Sequence, residues 1–378
     1  MKKLLMLPIS LALCLTLITG CGSQTGSPSE VQPTETSEAE SQVSGEETQE
    51  EEDSSKEKEG LVSEETADIS DTTDTAVRVM ALKGPTAMGL VELMDESESG
   101  AVNGNDYEFT IAASADEVTP KLVQGEADIA AVPANLASVL YNNTEGQVQV
   151  LAINTLGVLY IVDTGDTVHS AADLKGKTIY ASGKGATPEY AIDYILMKNG
   201  IDPEKDVTIE WKSEHAECVA ALAASEDGGI ALLPQPFVTI AQTQDDRIRI
   251  ALDLTEEWDK LQKDEETPSA LLTGVVVART DFIEEHPEAI SAFMDSYKKS
   301  VDYVNGNMEE AAKLIEKFDI VPAAVAQKAL PYCNITFIEG AEMKDKLSGY
   351  LSVLLEQNEK SVGGEIPADD FYYERQGK

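Results

Sequence analysis

From residue 77 onward, short β-branched and apolar runs alternate with helical segments through turns marked by glycine and proline. That alternation constrains the fold more than any other feature, because successive βα units bury their strands in a parallel or mixed sheet with helices on its faces. Strands are predicted over Val77–Leu82, Tyr107–Ala112, Asp128–Val132, Val148–Asn154 and Val158–Val162. The rhythm restarts after Leu174, with strands over Thr178–Ala181, Val207–Trp211, Gly229–Leu233 and Leu271–Ala278. The rest is predicted to be mostly helical. About 300 residues exceed what one core normally holds. The predicted architecture is therefore α/β with two lobes, each a mixed sheet flanked by helices. The first lobe takes residues 77–156 and 276–378, and the second takes 157–275. Crossings are expected at Thr155–Val162 and Thr273–Val277.

The segment before the sheets has a different chemistry. Lys2 and Lys3 precede an apolar run from Leu4 to Ile18, and then come Thr19, Gly20 and Cys21. A charged start, a short apolar stretch and small residues at a cut site read as a secretory signal over residues 1–20. The run is too short for a membrane span of ~20 residues. A cysteine directly after a small residue resembles the bacterial lipobox, in which the cysteine is acylated and becomes the new N-terminus. Residues 21–76 then read as a lipidated Cys21 and an acidic tether. From residue 22 the tether holds seventeen Asp and Glu against two Lys, with little to bury. Such a segment cannot offset its chain entropy and is expected to be disordered.

The chain carries a formal charge of -41. This argues against nucleic-acid binding, which needs a basic face, and against docking on acidic lipid. A locally positive cleft within an acidic protein remains open. Beyond the signal and Cys21 there are two cysteines, Cys218 and Cys333, expected as separate buried thiols. No two histidines share metal-ligand spacing and no Cys-x-x-Cys occurs, so no metal site or cofactor is expected. His215 is read as an exposed or capping residue, and Trp211 and Trp258 as packing residues.

In open α/β sheets, ligands bind beyond the carboxyl ends of the strands, at helix N-termini. That rule selects Lys83, Gly84, Pro85 and Thr86, then Ser114, then Pro133 and Asn135, in the first lobe. In the second it selects Ser182, Lys184, Ala186 and Thr187, then Ser213 and Glu214, then Pro234 and Gln235. The Ser182–Pro188 loop offers two hydroxyls, a lysine and glycines that allow close backbone approach. It lacks the spacing of a P-loop.

Several ordered motifs together resemble a family. They are the lipobox and tether, Gln124-Gly125-Glu126-Ala127-Asp128-Ile129-Ala130, Asp173-Leu174-Lys175-Gly176-Lys177, Leu233-Pro234-Gln235-Pro236-Phe237 and the ending Ile366-Pro367-Ala368-Asp369-Asp370-Phe371. The set resembles substrate-binding proteins of bacterial ABC importers, of the nitrate, sulfonate, taurine and thiamine-precursor type. The resemblance implies a type II periplasmic-binding clamp that closes on a small ligand between its lobes. It also implies delivery to a permease with its ATPase, anchoring outside the cytoplasm through Cys21, a monomeric state and no enzymatic role. Lys83, Lys184, Ser182 and Thr187 favour a sulfonate-like anion. A thiamine-type pyrimidine, for which Glu214 and the tyrosines would serve, is the alternative. Another is a surface adhesin or sensor that keeps the clamp without a transporter.

Overall fold

The chain builds its first sheet from β1 (Thr75–Leu82), β2 (Asn105–Ala112), β3 (Ile129–Pro133) and β4 (Val148–Leu156). It then builds a second from β5 (Leu159–Asp163), β6 (Thr178–Ser182), β7 (Thr208–Lys212), β8 (Ile230–Pro234) and β9 (Arg249–Asp253). It returns to the first with β10 (Leu272–Arg279) and β11 (Ile335–Ile338). The computed structural model describes residues 74–225, 228–263 and 269–375. The signal, Cys21 and nearly all of the expected tether lie outside the described residues.

The strand orders are β11-β4-β10-β3-β1-β2 and β7-β6-β8-β5-β9. Each sheet thus contains the same three-strand unit. β1 is parallel to β2 on one side and β3 on the other, and β6 stands likewise between β7 and β8. The connection after the central strand runs one way and the next runs back across it, so their helices cover opposite faces. The cores bear this out. Leu93, following β1, packs with Val77, Val79 and Ala81, whereas Val118 and Leu122, following β2, pack with Met80 on the other face. In the second sheet Ile192 and Ile195 cover one face, and Cys218, Val219 and Leu222 cover the other.

The two sheets share one core. Residues of both sheets, among them Val150, Ile161 and Ile179, join Leu347, Tyr350 and Leu354 of the C-terminal helix Gly340–Gln357 in a single apolar cluster. Trp258 is fully buried there, its ring 5.8 Å from Tyr350 and 4.4 Å from Tyr194.

Three expectations need correction. Thr75 and Ala76, expected in the tether, are strand residues of β1 paired with Asn105 and Asp106. Thr273–Val277 is not a crossing but the body of β10, paired with β3 and β4. The chain reaches β10 after the helix Leu254–Gln262. Finally, β9 and β11 add two strands to the predicted set. Cys218 and Cys333 are free buried thiols, as expected.

Candidate ligand-binding cleft

In each three-strand unit the crevice lies at the carboxyl ends of the central strand and of the neighbour where winding reverses. In the first sheet these are β1 and β3, which deliver Lys83–Thr86 and Pro133. In the second they are β6 and β8, which deliver Gly183–Pro188 and Pro234–Phe237. All four ends line one cleft of about 230 Å³, floored by Val158, Leu159 and Thr273. Two larger hollows, of about 370 and 670 Å³, lie elsewhere, beside Arg279 at the other end of the first sheet and beside Asp193 on a helix flank. Neither collects strand ends from both sheets, so the smaller cleft is the stronger site.

Backbone geometry shapes the walls. Gly84 sits at φ 130°, ψ -155° with open space where a Cβ would be, so conformation rather than crowding demands glycine there. Gly274 is demanded by crowding instead. A Cβ there would come within 2.5 Å of both Asn154 Oδ1 and Thr86 Cγ2. Asn154 Nδ2 in turn donates to the Thr86 carbonyl, fixing that wall from beneath.

The polar groups are few and mostly pre-engaged. The Thr86 hydroxyl donates to the Leu82 carbonyl at 2.8 Å. Thr187 Oγ1 accepts from the buried Tyr350 hydroxyl at 3.2 Å, which leaves the Thr187 proton for another acceptor. Gln235, 1% exposed, accepts at Oε1 from the Thr239 hydroxyl at 2.9 Å. Its amide nitrogen is thereby turned away and has no acceptor among the described residues. Lys83 is half-exposed, its Nζ 3.7 Å from the exposed Asp319 carboxylate, a pairing of little strength. His215 joins the wall with Nδ1 2.5 Å from Ser182 Oγ, and burial pushes its imidazole down to about 4. Among the described residues no aspartate or glutamate lines the cleft, and Lys83 is its only lysine or arginine.

Of the residues selected from sequence, Lys83, Gly84, Pro85, Thr86, Pro133, Ala186, Thr187, Pro234 and Gln235 come together in this cleft. Ser182 sits behind it, 2% exposed and engaged with His215. Ser114 does not reach it. β2 is an edge strand, and Ser114 is exposed with its hydroxyl on Glu117. Ser213 and Glu214 follow the other edge strand, β7, and are exposed outside the lining. Asn135 is buried, its amide donating to the Ser361 carbonyl at 3.3 Å. Lys184 is exposed and stands off the lining. The lining residues not selected from sequence include His215, Phe237, Val158, Leu159 and Thr273, besides immediate neighbours of selected positions such as Gly183 and Pro236. Val158 and Leu159 lie at the β4–β5 junction already expected as a crossing, a signal that could have found them.

A family model described as ABC transporter, phosphonate, periplasmic substrate-binding protein matches residues 64–329. The structure of an ABC transporter protein from Parabacteroides distasonis is 24% identical, with a TM-score of 0.67 over 80% of this chain and 100% of that one. The periplasmic aliphatic sulphonate binding protein of Escherichia coli is 16% identical, with a TM-score of 0.65 over 80% of this chain and 94% of that one. The periplasmic nitrate-binding protein of Synechocystis is 17% identical, with a TM-score of 0.50 over 66% and 68%. At such identities these three share the fold. No curated protein matches the sequence significantly.

Proposed function

The chain belongs to the periplasmic substrate-binding proteins of phosphonate-type ABC transporters, and from that premise we propose that it captures a small, sulfonate-like organic oxyanion for import. One observation carries the choice of ligand. Among the described residues, the cleft of this strongly acidic chain is lined by no aspartate or glutamate, and by Lys83. Thr187 and the Gln235 amide, in the same lining, offer uncommitted protons. Neutral hydrogen bonds contribute roughly 1 kcal/mol each and charge-assisted ones about 1.5–3. With burial of the ligand's tail against Pro133, Pro188 and Phe237, the sum is compatible with micromolar affinity, about -8 kcal/mol. A thiamine-type pyrimidine would want a carboxylate, and Glu214, the candidate for that role, is exposed outside the lining.

The lobes that close on the ligand are residues 77–156 with the chain from 272 onward, and 157–271. They are joined at the β4–β5 junction and along the return path before β10. The lipobox Thr19-Gly20-Cys21 supports anchoring through an acylated Cys21, so the domain works outside the cytoplasm on its own membrane tether. Cys21→Ser should then move the protein from the membrane fraction to the soluble fraction.

Calorimetry on the purified protein with ethanesulfonate, taurine, methylphosphonate, nitrate and thiamine tests the ligand. Saturation at 100 times Kd should also stabilise the fold by about 2.7 kcal/mol. Binding of a sulfonate or phosphonate supports the reading. A response to thiamine alone, or to none of the five, overturns it.

A further inference from the structure

The oxyanion reading leaves one wall residue without a task. His215 opens the helix His215–Ala223 and lines the cleft between Ser182 and Phe237, whose ring lies 4.9 Å from the imidazole. We propose that His215 is the charge-sensing residue of the cleft: neutral while the cleft is empty, it takes up one proton as an oxyanion docks beside it, so that capture is coupled to proton uptake. The inference rests on the oxyanion reading and adds a switchable charge to it.

The geometry supplies the parts. In its charged form the ring donates from both nitrogens. Ser182 Oγ is placed to accept at Nδ1, leaving the Nε2 proton for the ligand. The proton comes from solvent, and no bond of the ligand is made or broken. Among the described residues, nothing else nearby holds the ring charged. On its own helix, Glu217 is exposed and accepts from the Ser213 N–H, and Glu214 is exposed. Cys218 is neutral, its thiol pushed up by burial. Lys212 at the end of β7 is paired with Glu210, Lys184 after β6 is exposed, and Lys83 across the cleft stands near Asp319. The helix Phe237–Gln244 contributes no charged side chain. Burial alone depresses the imidazole, to about 4. A negative charge entering the cleft opposes that burial term and restores the charged form.

Calorimetry with ethanesulfonate at several values between pH 5 and 8, in buffers of different ionisation enthalpy, reads the coupling directly. The sulfonate stays a monoanion throughout, so any pH slope belongs to the protein. Affinity should climb as pH falls, approaching about tenfold per unit, with uptake approaching one proton. His215→Gln should bind with neither the slope nor the uptake. In the free protein, which has three histidines, the His215 ring should be neutral by NMR at pH 6. Ethanesulfonate binding without proton uptake overturns the coupling and leaves the oxyanion reading intact. So does a free His215 that titrates at the ordinary value near 6.5. Failure to bind any sulfonate or phosphonate at any pH overturns both.

Discussion

Asp193 and His215 should push stability in opposite directions through the same pH window. Asp193 lies in the helix Thr187–Lys198, where burial first, then repulsion from Glu189 and Glu204, pushes its carboxyl up to about 6. The folded chain therefore holds this proton more tightly than the unfolded chain, whose aspartates titrate near 3.9. The charged form costs the fold up to about 3 kcal/mol at pH 7, at 1.36 kcal/mol per unit. That cost is lifted as pH falls through 6 and is gone below about 4. Asp193→Asn removes it, so this variant should exceed the parent by about 1–3 kcal/mol at pH 7, the lower end allowing for partial exposure. The advantage should shrink toward zero at pH 4. His215 has the opposite sign. Its folded value of about 4 lies below the unfolded 6.5, so the parent loses stability as pH falls from 6.5 to 4, again by up to about 3 kcal/mol. His215→Gln should gain on the parent over that interval while Asp193→Asn falls back toward it. The many other carboxylates are common to all three proteins and cancel in the differences. Urea unfolding from pH 7 to 4.5, with unchanged m values, measures both. An Asp193→Asn protein no more stable than the parent at pH 7, or an advantage that does not vary with pH, refutes the reasoning.

Lys83→Ala should weaken ethanesulfonate binding about tenfold, the loss of one charge-assisted hydrogen bond, whereas Lys184→Ala should change it less than about twofold; calorimetry decides both. Tyr350→Phe should keep the ring packing on Trp258 but strip the buried Thr187 oxygen of its donor, at about 1–2 kcal/mol by urea unfolding. Cys218 and Cys333, both buried and with raised thiols, should resist a thiol reagent in the native state and react fully after denaturation. The acidic surface repels an incoming anion over about one Debye length, ~8 Å at physiological salt. Stopped-flow association of ethanesulfonate should therefore speed up as ionic strength rises from about 0.01 to 0.15 M, and slowing with salt would mean that Lys83 governs the approach.

The sequence showed nine of the eleven described strands because each is an apolar run bounded by turn residues. The two it hid have no such contrast. β9 is Arg-Ile-Ala-Leu-Asp, with a charge at each end, and β11 is a four-residue edge strand between helices. The false crossing at Thr273–Val277 has a related cause. A strand buried on both faces and a segment passing between lobes are both apolar, and only pairing with β3 and β4 tells them apart. No internal repeat is visible in the sequence, yet both sheets carry the same reversed three-strand unit. What the two units share is connection direction and alternation of burial, which many sequences satisfy, rather than residue identity.

The site was legible to the extent that strand ends were legible. The rule that ligands meet the carboxyl ends of strands treats all such ends alike, whereas strand order makes them unlike. β2 and β7 are the outermost strands of their units, so Ser114, Ser213 and Glu214 fell at the edges. Strand order is set by which way each crossover turns, and no single residue records that. His215 shows the converse. It follows an edge strand, yet it is the first residue of its helix and reaches back over Ser182 at the end of central β6. Glu214, one place earlier, is exposed, and Cys218, one turn later on the same side of the helix, is buried. The difference between a solvated histidine and a cleft histidine is thus one residue of helical phase, about 100° of rotation, which composition and spacing do not specify.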